Sequence, residues 1–441
     1  MEFPNIFDKN EKKDGETFRL MLDITKHKNK IISTVTRIIN YNDEPKMFHI
    51  GCKFKVTSKI SDAGHYEDYS GGISFDKRKA YMKALGEVIE RYCLAIYKKT
   101  NFKISSYKKI KNIAVNPKDF SSFTKEQLNT KEFRNFRFDE KAKFKWVKGF
   151  SIFERKEKYL PAQLIYVPYI FSNEPVIRLP ISTGAAAGTS LSGALYRGLC
   201  EIIERDSFMI YFLNRISPAK IDFSNCKDKE INKILNYIKR YELEILIFDI
   251  TTDIKIPTIL SIIIDRTGIG PTVSLGLKTD LNIRKALLGS IEESLQSRSW
   301  IRDEMYNRKR TKNIFKDIII ERGLYWSKKE RIKKLDFFLK TAKMKDYENY
   351  KINAISDAKK KLEIILKELK KANVNIYFFD ITLPFVKKKG FNVVKILADK
   401  IQPLYLDEKY KYLGGERLSS VPMLLGYKAQ KKLNKDIHPF L

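Results

Sequence analysis

Two octapeptides in this sequence carry the same chemistry at the same spacing. Ala84-Leu85-Gly86-Glu87-Val88-Ile89-Glu90-Arg91 and Gly198-Leu199-Cys200-Glu201-Ile202-Ile203-Glu204-Arg205 both read small-Leu-x-Glu-aliphatic-Ile-Glu-Arg. On a helix, two Glu at i and i+3 and an Arg at i+4 from the first project from one face. Small-residue loops precede both copies: Ser70-Gly71-Gly72 the first, and Ser182-Thr183-Gly184-Ala185-Ala186-Ala187-Gly188 the second. Such loops let backbone amides approach a phosphate closely. The flanking residues are apolar, including Val88, Tyr92 and Leu94 in one copy and Ile203, Phe208 and Met209 in the other, so both helices are expected to be largely buried. Burying carboxylates costs several kcal/mol each unless cations compensate. Mg²⁺ bridged by phosphate oxygens is one such compensator, and an Arg beside it would contact phosphate. A single Glu-x-x-Glu-Arg is commonly a solvated helix face with local ion pairs. Two copies with matching flanks favour a functional reading.

A third segment, Glu292-Glu293-Ser294-Leu295-Gln296-Ser297-Arg298, puts Glu293 and Gln296 on one helix face with Arg298 at its polar edge. By itself it says little. No G-x-x-x-x-G-K-[ST] is present, and no G-x-G-x-x-G opens a helix after a strand, so any nucleotide site is of another kind. His27, His49, His65 and His438 are scattered, without metal or Ser/His spacing. Cys52, Cys93, Cys200 and Cys226 lie far apart and suggest neither a disulfide framework nor a zinc ribbon, which suits a reducing cytoplasm.

The elements that must position these residues alternate between strand-like and helix-like stretches, without a low-complexity linker. Phe48 to Val56 alternates like a strand, and Asp76 to Lys99 reads as a long helix. Residues 143–167 read as a hairpin whose turn is the charged run Glu154 to Lys158. A second long helix is expected over 189–215. Ile231, Ile234, Leu235 and Ile238 mark an amphipathic helix, followed by apolar strands at 243–249, 257–264 and 271–277 and a helix at 280–305. Asp357 to Ala372 reads as a helix, Asn375 to Asp380 as a strand, and the tail from Gly414 as loops. The expected class is α+β, with mixed and antiparallel sheets packed on long helices.

With 441 residues and 43% hydrophobic content the chain can bury a sizeable core. No secretory signal and no window near the ~20 apolar residues of a membrane span is present, so a cytoplasmic protein without a membrane partner is expected. The formal charge of +32, from 85 Lys and Arg against 53 Asp and Glu, would attract polyanions. Lysine is spread over the whole chain, however, and the densest cluster, Asn307-Arg308-Lys309-Arg310-Thr311-Lys312, lacks interleaved aromatics and reads as a basic loop. A solvated lysine-rich surface is favoured, and no nucleic-acid partner is expected.

Taken together, Ala84 to Cys93, Ser182 to Met209 and Glu292 to Arg298 resemble the YcaO superfamily. The likeness extends through Pro161 to Tyr166, Asp380-Ile381-Thr382, Gly415 to Leu418 and Leu433-Asn434, over roughly residues 60 to 441, and is similar to the azoline-forming branch that matures thiazole/oxazole-modified microcins. The resemblance implies a non-P-loop ATP-binding fold with an internal pseudo-repeat and ATP with Mg²⁺ as cofactors. Glu87, Glu90, Glu201 and Glu204 would be metal ligands, and Ser70, Arg91, Ser182, Thr189, Arg205, Glu293, Gln296 and Arg298 would line the nucleotide site. It implies three regions: 1–60 packing on the core, 61–400 catalytic, and a 401–441 tail reaching toward the active site with His438, Pro439 and Leu441 as candidates there.

In such enzymes a Cys, Ser or Thr side chain of a ribosomal peptide attacks the preceding amide carbon, ATP phosphorylates the oxyanion, and phosphate leaves an azoline. Thioamide or amidine formation, or a non-catalytic peptide-binding subunit, are the alternatives. Implied partners are the precursor peptide, a ThiF-like leader-binding protein, a flavin dehydrogenase in the same complex, and a second copy as a homodimer. Too little sequence precedes residue 60 for a separate leader-binding domain, so a partner is expected to present the peptide. The sequence departs from the pattern at Ser192-Gly193, where the family often carries acidic residues, at Gly289, where it often carries Arg, and in a tail keeping only the central proline of P-x-P-x-P. Arg284, Lys285 and Arg298 are the neighbours that could stand in for the cation missing at Gly289.

Overall fold

The computed structural model describes residues 2–8, 10–26, 31–310 and 317–441. Strands β1 (Ile32–Ile38), β2 (Phe48–Val56) and β3 (Tyr66–Ser74) form an antiparallel sheet in that order. β4 (Lys103–Ser106), β5 (Lys143–Ser151), β6 (Lys156–Pro161) and β7 (Ala185–Gly188) enter a second sheet. β8 (Ala219–Asp222), β9 (Leu243–Asp249), β10 (Thr258–Asp265), β11 (Val273–Thr279) and β12 (Met344–Asp346) build the third, in which β12 runs parallel to β8. β13 (Ile376–Asp380) and β14 (Asn392–Ala398) return to the second, whose order is β4-β5-β13-β14-β7 with β6 on β5. The α+β class with mixed sheets is the one expected.

Helices α1 (Asp14–Thr25), α2 (Lys77–Leu94), α3 (Leu191–Leu213), α4 (Lys229–Lys239), α5 (Ile283–Arg310) and α6 (Ala358–Lys371) cover these sheets. β3, β7 and β11 each end a sheet, and each leads into a long helix: α2, α3 and α5. The three helix starts are built alike. Asp76 accepts from the Lys79 N–H at 2.8 Å, the Ser190 hydroxyl from Gly193 at 3.0 Å, and Asn282 from Lys285 at 3.2 Å. A short polar side chain three residues ahead satisfies an amide that the first turn leaves orphaned. At Gly72 any Cβ would collide with the α2 backbone at Ala80, and at Gly276 with the α5 backbone at Ser290, so glycine lets each helix lie directly on its strand.

Hydrophobic patterning explains the rest of the cover. Ile231, Ile234, Leu235 and Ile238 form the buried stripe of α4, and α3 is buried nearly all round between two cores. The structure moves several expected boundaries. The hairpin turn is residues 152–155, because Ser151 pairs with Lys156 and the charged residues after it belong to β6, which pairs with β5 on one side and, on the other, bonds through Tyr159 to the backbone of Ile113 and Val115. The last apolar strand starts at Val273 rather than 271, Pro271 having no N–H for the ladder. Asn307 to Arg310 are the end of α5 rather than a loop, while Thr311, Lys312 and His27 lie outside the described residues. Arg417–Leu424 is a helix where loops are expected, since Pro422 sits near its end and breaks nothing upstream. β2 and β3 pair across residue 60, so the N-terminal segment shares a sheet with the strand that leads into α2. Among the described residues no helix is long and apolar enough to cross a membrane.

Candidate active site

Free edge amides of β3 and β11, and the amide just ahead of β7, point at the helix that follows. Glu87 accepts from the Gly71 N–H at 3.0 Å, Glu201 from Gly184 at 2.9 Å, and Glu293 from Leu277 at 2.6 Å. The second acid of each helix then reaches the next strand. Glu90 accepts from Ala187 in β7 at 2.8 Å, and Glu204 from Thr279 in β11 at 2.9 Å. Gln296 closes the circuit, with its Nε2 2.7 Å from where a Cβ would sit on Gly71 in β3. Five carboxylates and one amide thus converge where three sheet edges meet. The expected Glu87, Glu90, Glu201, Glu204, Glu293 and Gln296 are brought together, with the third segment placed as a third copy in which Gln296 takes the second acid's position.

The cluster is short of positive charge. Burial pushes the Glu90 carboxyl up to about 8, with Glu201 and Glu87 adding repulsion against the Ala187 hydrogen bond. Burial and then Glu204 push Glu293 up to about 7. Each carboxylate spends one oxygen on a backbone amide, and all but Glu87, whose second oxygen meets Arg91, keep the other clear of a close ion pair. No three Asp, Glu, His or Cys side chains among the described residues converge tightly enough to hold an ion alone. These donors fit Mg²⁺, which binds through one or two carboxylates and completes its octahedron with water and phosphate oxygens.

The cations divide. Arg91 is committed to Asp68 at 2.7 Å and Glu87 at 2.8 Å. Arg205 is only 3.7 Å from Glu201 and 4.0 Å from Glu204, and its buried Nε and Nη1 have no hydrogen-bond partner. Arg298 is turned away from the cluster: Glu44 at 2.9 Å and Asp265 at 2.8 Å hold its guanidinium in a buried network. Arg284 is likewise spent, on Asp228 and Glu230. Lys278, which sequence reasoning missed, lies in β11 between the amides that serve Glu293 and Glu204. It makes no hydrogen bond or ion pair among the described residues; burial opposes its charge, but Glu204 and Glu293 outweigh that and raise its amine.

The loop residues are placed less directly. The Ser70 hydroxyl donates to the Ala84 carbonyl at 3.0 Å and so ties β3 to α2. The Ser182 carbonyl accepts from Ala185 at 2.8 Å, and the flanking carbonyls of Ile181 and Thr183 each accept from the Lys395 amine at 2.6 Å. Thr189 accepts from the Lys12 N–H at 2.9 Å. The N-terminal segment continues this docking. Asp8 accepts from the Leu191 N–H at 2.9 Å and the Ser192 N–H at 3.2 Å, and Glu11 pairs with Arg197 at 2.6 Å while its carboxyl fills the space over Gly193. An acid therefore does stand at this departure, supplied from residue 11.

The tail reaches the same cluster. The Phe440 ring lies 4.0 Å from the Arg205 guanidinium, and Arg322 donates to the Phe440 carbonyl at 3.2 Å. His438 is fully buried against Phe208, Phe212 and Tyr405; burial holds it neutral, so its Nε2–H donates to the Tyr405 carbonyl at 2.9 Å. It anchors the tail. Pro439 is buried and Leu441 half-buried beside it.

Residues 71–401 match the YcaO cyclodehydratase family, described as ATP- and Mg²⁺-binding. A heterocyclase solved in complex with substrate and cofactor superposes with a TM-score of 0.83 at 19% identity, covering 99% of this chain and 59% of its own. The YcaO protein of Methanopyrus kandleri, solved with AMPPCP and Mg²⁺, gives a TM-score of 0.64 at 16% identity, covering 91% and 94%. An uncharacterised protein of Methanothermobacter thermautotrophicus is 25% identical over 166 residues, which are 36% of this chain and 43% of that protein. The chain spans less than half the length of the curated relatives it matches. With its three carboxylate-bearing helices on three sheet edges, the chain belongs to the YcaO cyclodehydratase family.

Proposed function

We propose that the chain is an ATP- and Mg²⁺-dependent cyclodehydratase that converts Cys, Ser or Thr of a ribosomally made peptide to thiazoline or oxazoline. The observation that carries this reading is the meeting of five carboxylates at three sheet edges beside Arg205, whose Nε and Nη1 are unspent. When bound, ATP supplies the phosphoryl group that carries the amide oxygen away. Glu87, Glu90, Glu201 and Glu204 would hold Mg²⁺, with Glu293 and Gln296 closing the cluster. Arg205 and Arg91 would face the phosphates, and the loop from Ser182 and the Thr189 turn would line the nucleotide pocket. Backbone amides hold these carboxylates before any ligand arrives, so little reorganisation is needed as charge moves.

The 401–441 tail would border the peptide end of the site through Phe440, with Leu441 beside it. The precursor would be presented by a ThiF-like leader-binding protein, with a flavin dehydrogenase able to join the complex. A charge of +32 supports fast encounter with an acidic leader or partner. The test incubates the chain, partner, precursor and Mg²⁺–ATP and follows intact peptide mass and phosphate release. One water lost per ring is expected, and none with Glu201→Ala or Glu204→Ala. Full modification by both variants would sink the metal assignment, and replacement of oxygen by sulfur in the product would redirect the reaction to thioamide formation.

A further inference from the structure

Arg205 borders a second space besides the carboxylate cluster. A small pocket of about 30 Å³ is lined by Arg178, Thr183, Arg205 and Gln402 between apolar walls that include Ile202 and Ile396. No Asp or Glu lines it. Arg178 is half-buried there and makes no hydrogen bond or ion pair among the described residues. The Arg205 Nε and Nη1 are buried without an acceptor. The pocket wall therefore carries two guanidiniums with donors to spare, Arg178 with no ion-pair partner among the described residues and Arg205 no nearer than 3.7 Å to a carboxylate.

Burying an unpaired guanidinium costs several kcal/mol, and two sharing a poorly solvated space repel as well. The strain in charge shows beneath the pocket. Lys395, which grips the Ile181 and Thr183 carbonyls, is pushed down to about 7 by burial and by Arg178. Arg is the side chain suited to phosphate oxygens, because its planar donors match them in pairs. Apolar walls with a few convergent donors strengthen such bonds.

We propose that this pocket is a subsite for a phosphate-type oxyanion, gripped by Arg178 and Arg205 with the Thr183 hydroxyl as a further donor. Sharing Arg205 with the carboxylate cluster makes it the place that phosphate occupies after leaving the reacting centre. Only the origin of that phosphate rests on the ATP-dependent reading; binding itself needs neither nucleotide nor peptide. Two sources share the chemistry, free inorganic phosphate and the terminal phosphoryl group of the nucleotide.

The test titrates inorganic phosphate into the full chain by calorimetry and thermal shift, for the natural protein, Arg178→Met and Arg178→Lys. The natural chain should bind phosphate, the Met variant about tenfold or more weakly, and the Lys variant in between. Because Arg178 holds no structural partner, both variants should keep the natural melting temperature without ligand, which separates loss of binding from loss of fold. Absence of phosphate binding by the natural chain, or equal binding by all three, overturns the proposal. Acetate binding as tightly as phosphate overturns it too, making the pocket a carboxylate site. Simultaneous binding of phosphate and Mg²⁺–ATP identifies the released ion as the occupant, and mutual exclusion identifies the terminal phosphoryl group. A natural chain that binds phosphate through Arg178 yet ignores Mg²⁺–ATP leaves the subsite standing and removes the ATP-dependent reading.

Discussion

The Lys278 side chain lies across Gly289, its Cγ 2.7 Å from where a Cβ on residue 289 would sit. A long side chain grown from position 289 would follow the same path. A cation of strand β11 thus takes the path left open at residue 289, and the charges of Glu204, Glu293 and Glu201 act on its amine. Removing it should leave the phosphates of a bound nucleotide facing uncompensated carboxylates.

Lys278→Ala should accordingly weaken Mg²⁺–ATP binding about tenfold, on the order of 1.4 kcal/mol. Adding Gly289→Arg on that background should recover much of the loss, since the vacated path is then free. Calorimetric Kd values decide it. An unchanged Kd in the single variant would exclude Lys278 from the site.

The Glu90 carboxyl gives a pH dependence with a definite sign. Its folded value of about 8 lies above its ordinary 4.5, so the folded state holds its proton more tightly than the unfolded state does. Stability from this group is present below about 4.5 and is lost as pH rises through about 8. Glu90→Gln should thus raise the melting temperature at pH 8 without ligand and change little at pH 5. It should also abolish stabilisation by Mg²⁺–ATP, because the amide no longer binds the ion. Melting curves at the two pH values, with and without Mg²⁺–ATP, check both signs.

Much of this site was legible in the sequence, and the parts that were not share one cause. Glu87, Glu90, Glu201 and Glu204 announce themselves by a repeated octapeptide, and the helices that carry them are marked by apolar periodicity. The third copy is hidden because Gln296 replaces the second acid and Ser297 the Arg. Its spacing is nevertheless kept. Asp76 to Glu87, Ser190 to Glu201 and Asn282 to Glu293 are each eleven residues, so a helix cap followed at that distance by Glu is the signal that finds all three. Lys278 and Glu11 carried no local signal. Each acts by filling the space over a distant glycine, a relation that exists only after the chain has folded.

Arg417 tests what fixes the tail. It bonds Asp206 of α3 at 2.8 and 2.7 Å and Asp253 at 3.0 and 2.7 Å, all but sealed from water. Arg417→Ala leaves Asp206 buried without its cation, which should cost about 3–5 kcal/mol. Urea unfolding should show it. A loss under about 1 kcal/mol would mean that water reaches Asp206 readily.

Phe440 separates the tail's part in turnover from its part in packing. Its ring covers Arg205 at 4.0 Å, and its carbonyl is held by Arg322, so the backbone stays anchored when the ring is removed. A cation–π contact at a desolvated guanidinium contributes about 1–2 kcal/mol, and here it also fixes which way the Arg205 donors point. Phe440→Ala should therefore lower turnover with peptide about tenfold while the Kd for Mg²⁺–ATP changes less, because the carboxylates proposed to hold the ion are positioned by backbone amides and not by the tail. Phe440→Tyr keeps an aromatic face over Arg205 and should restore most of the rate. Equal losses in turnover and nucleotide affinity would place the ring's effect on the ATP site itself, and an unchanged rate would make the tail a packing element only.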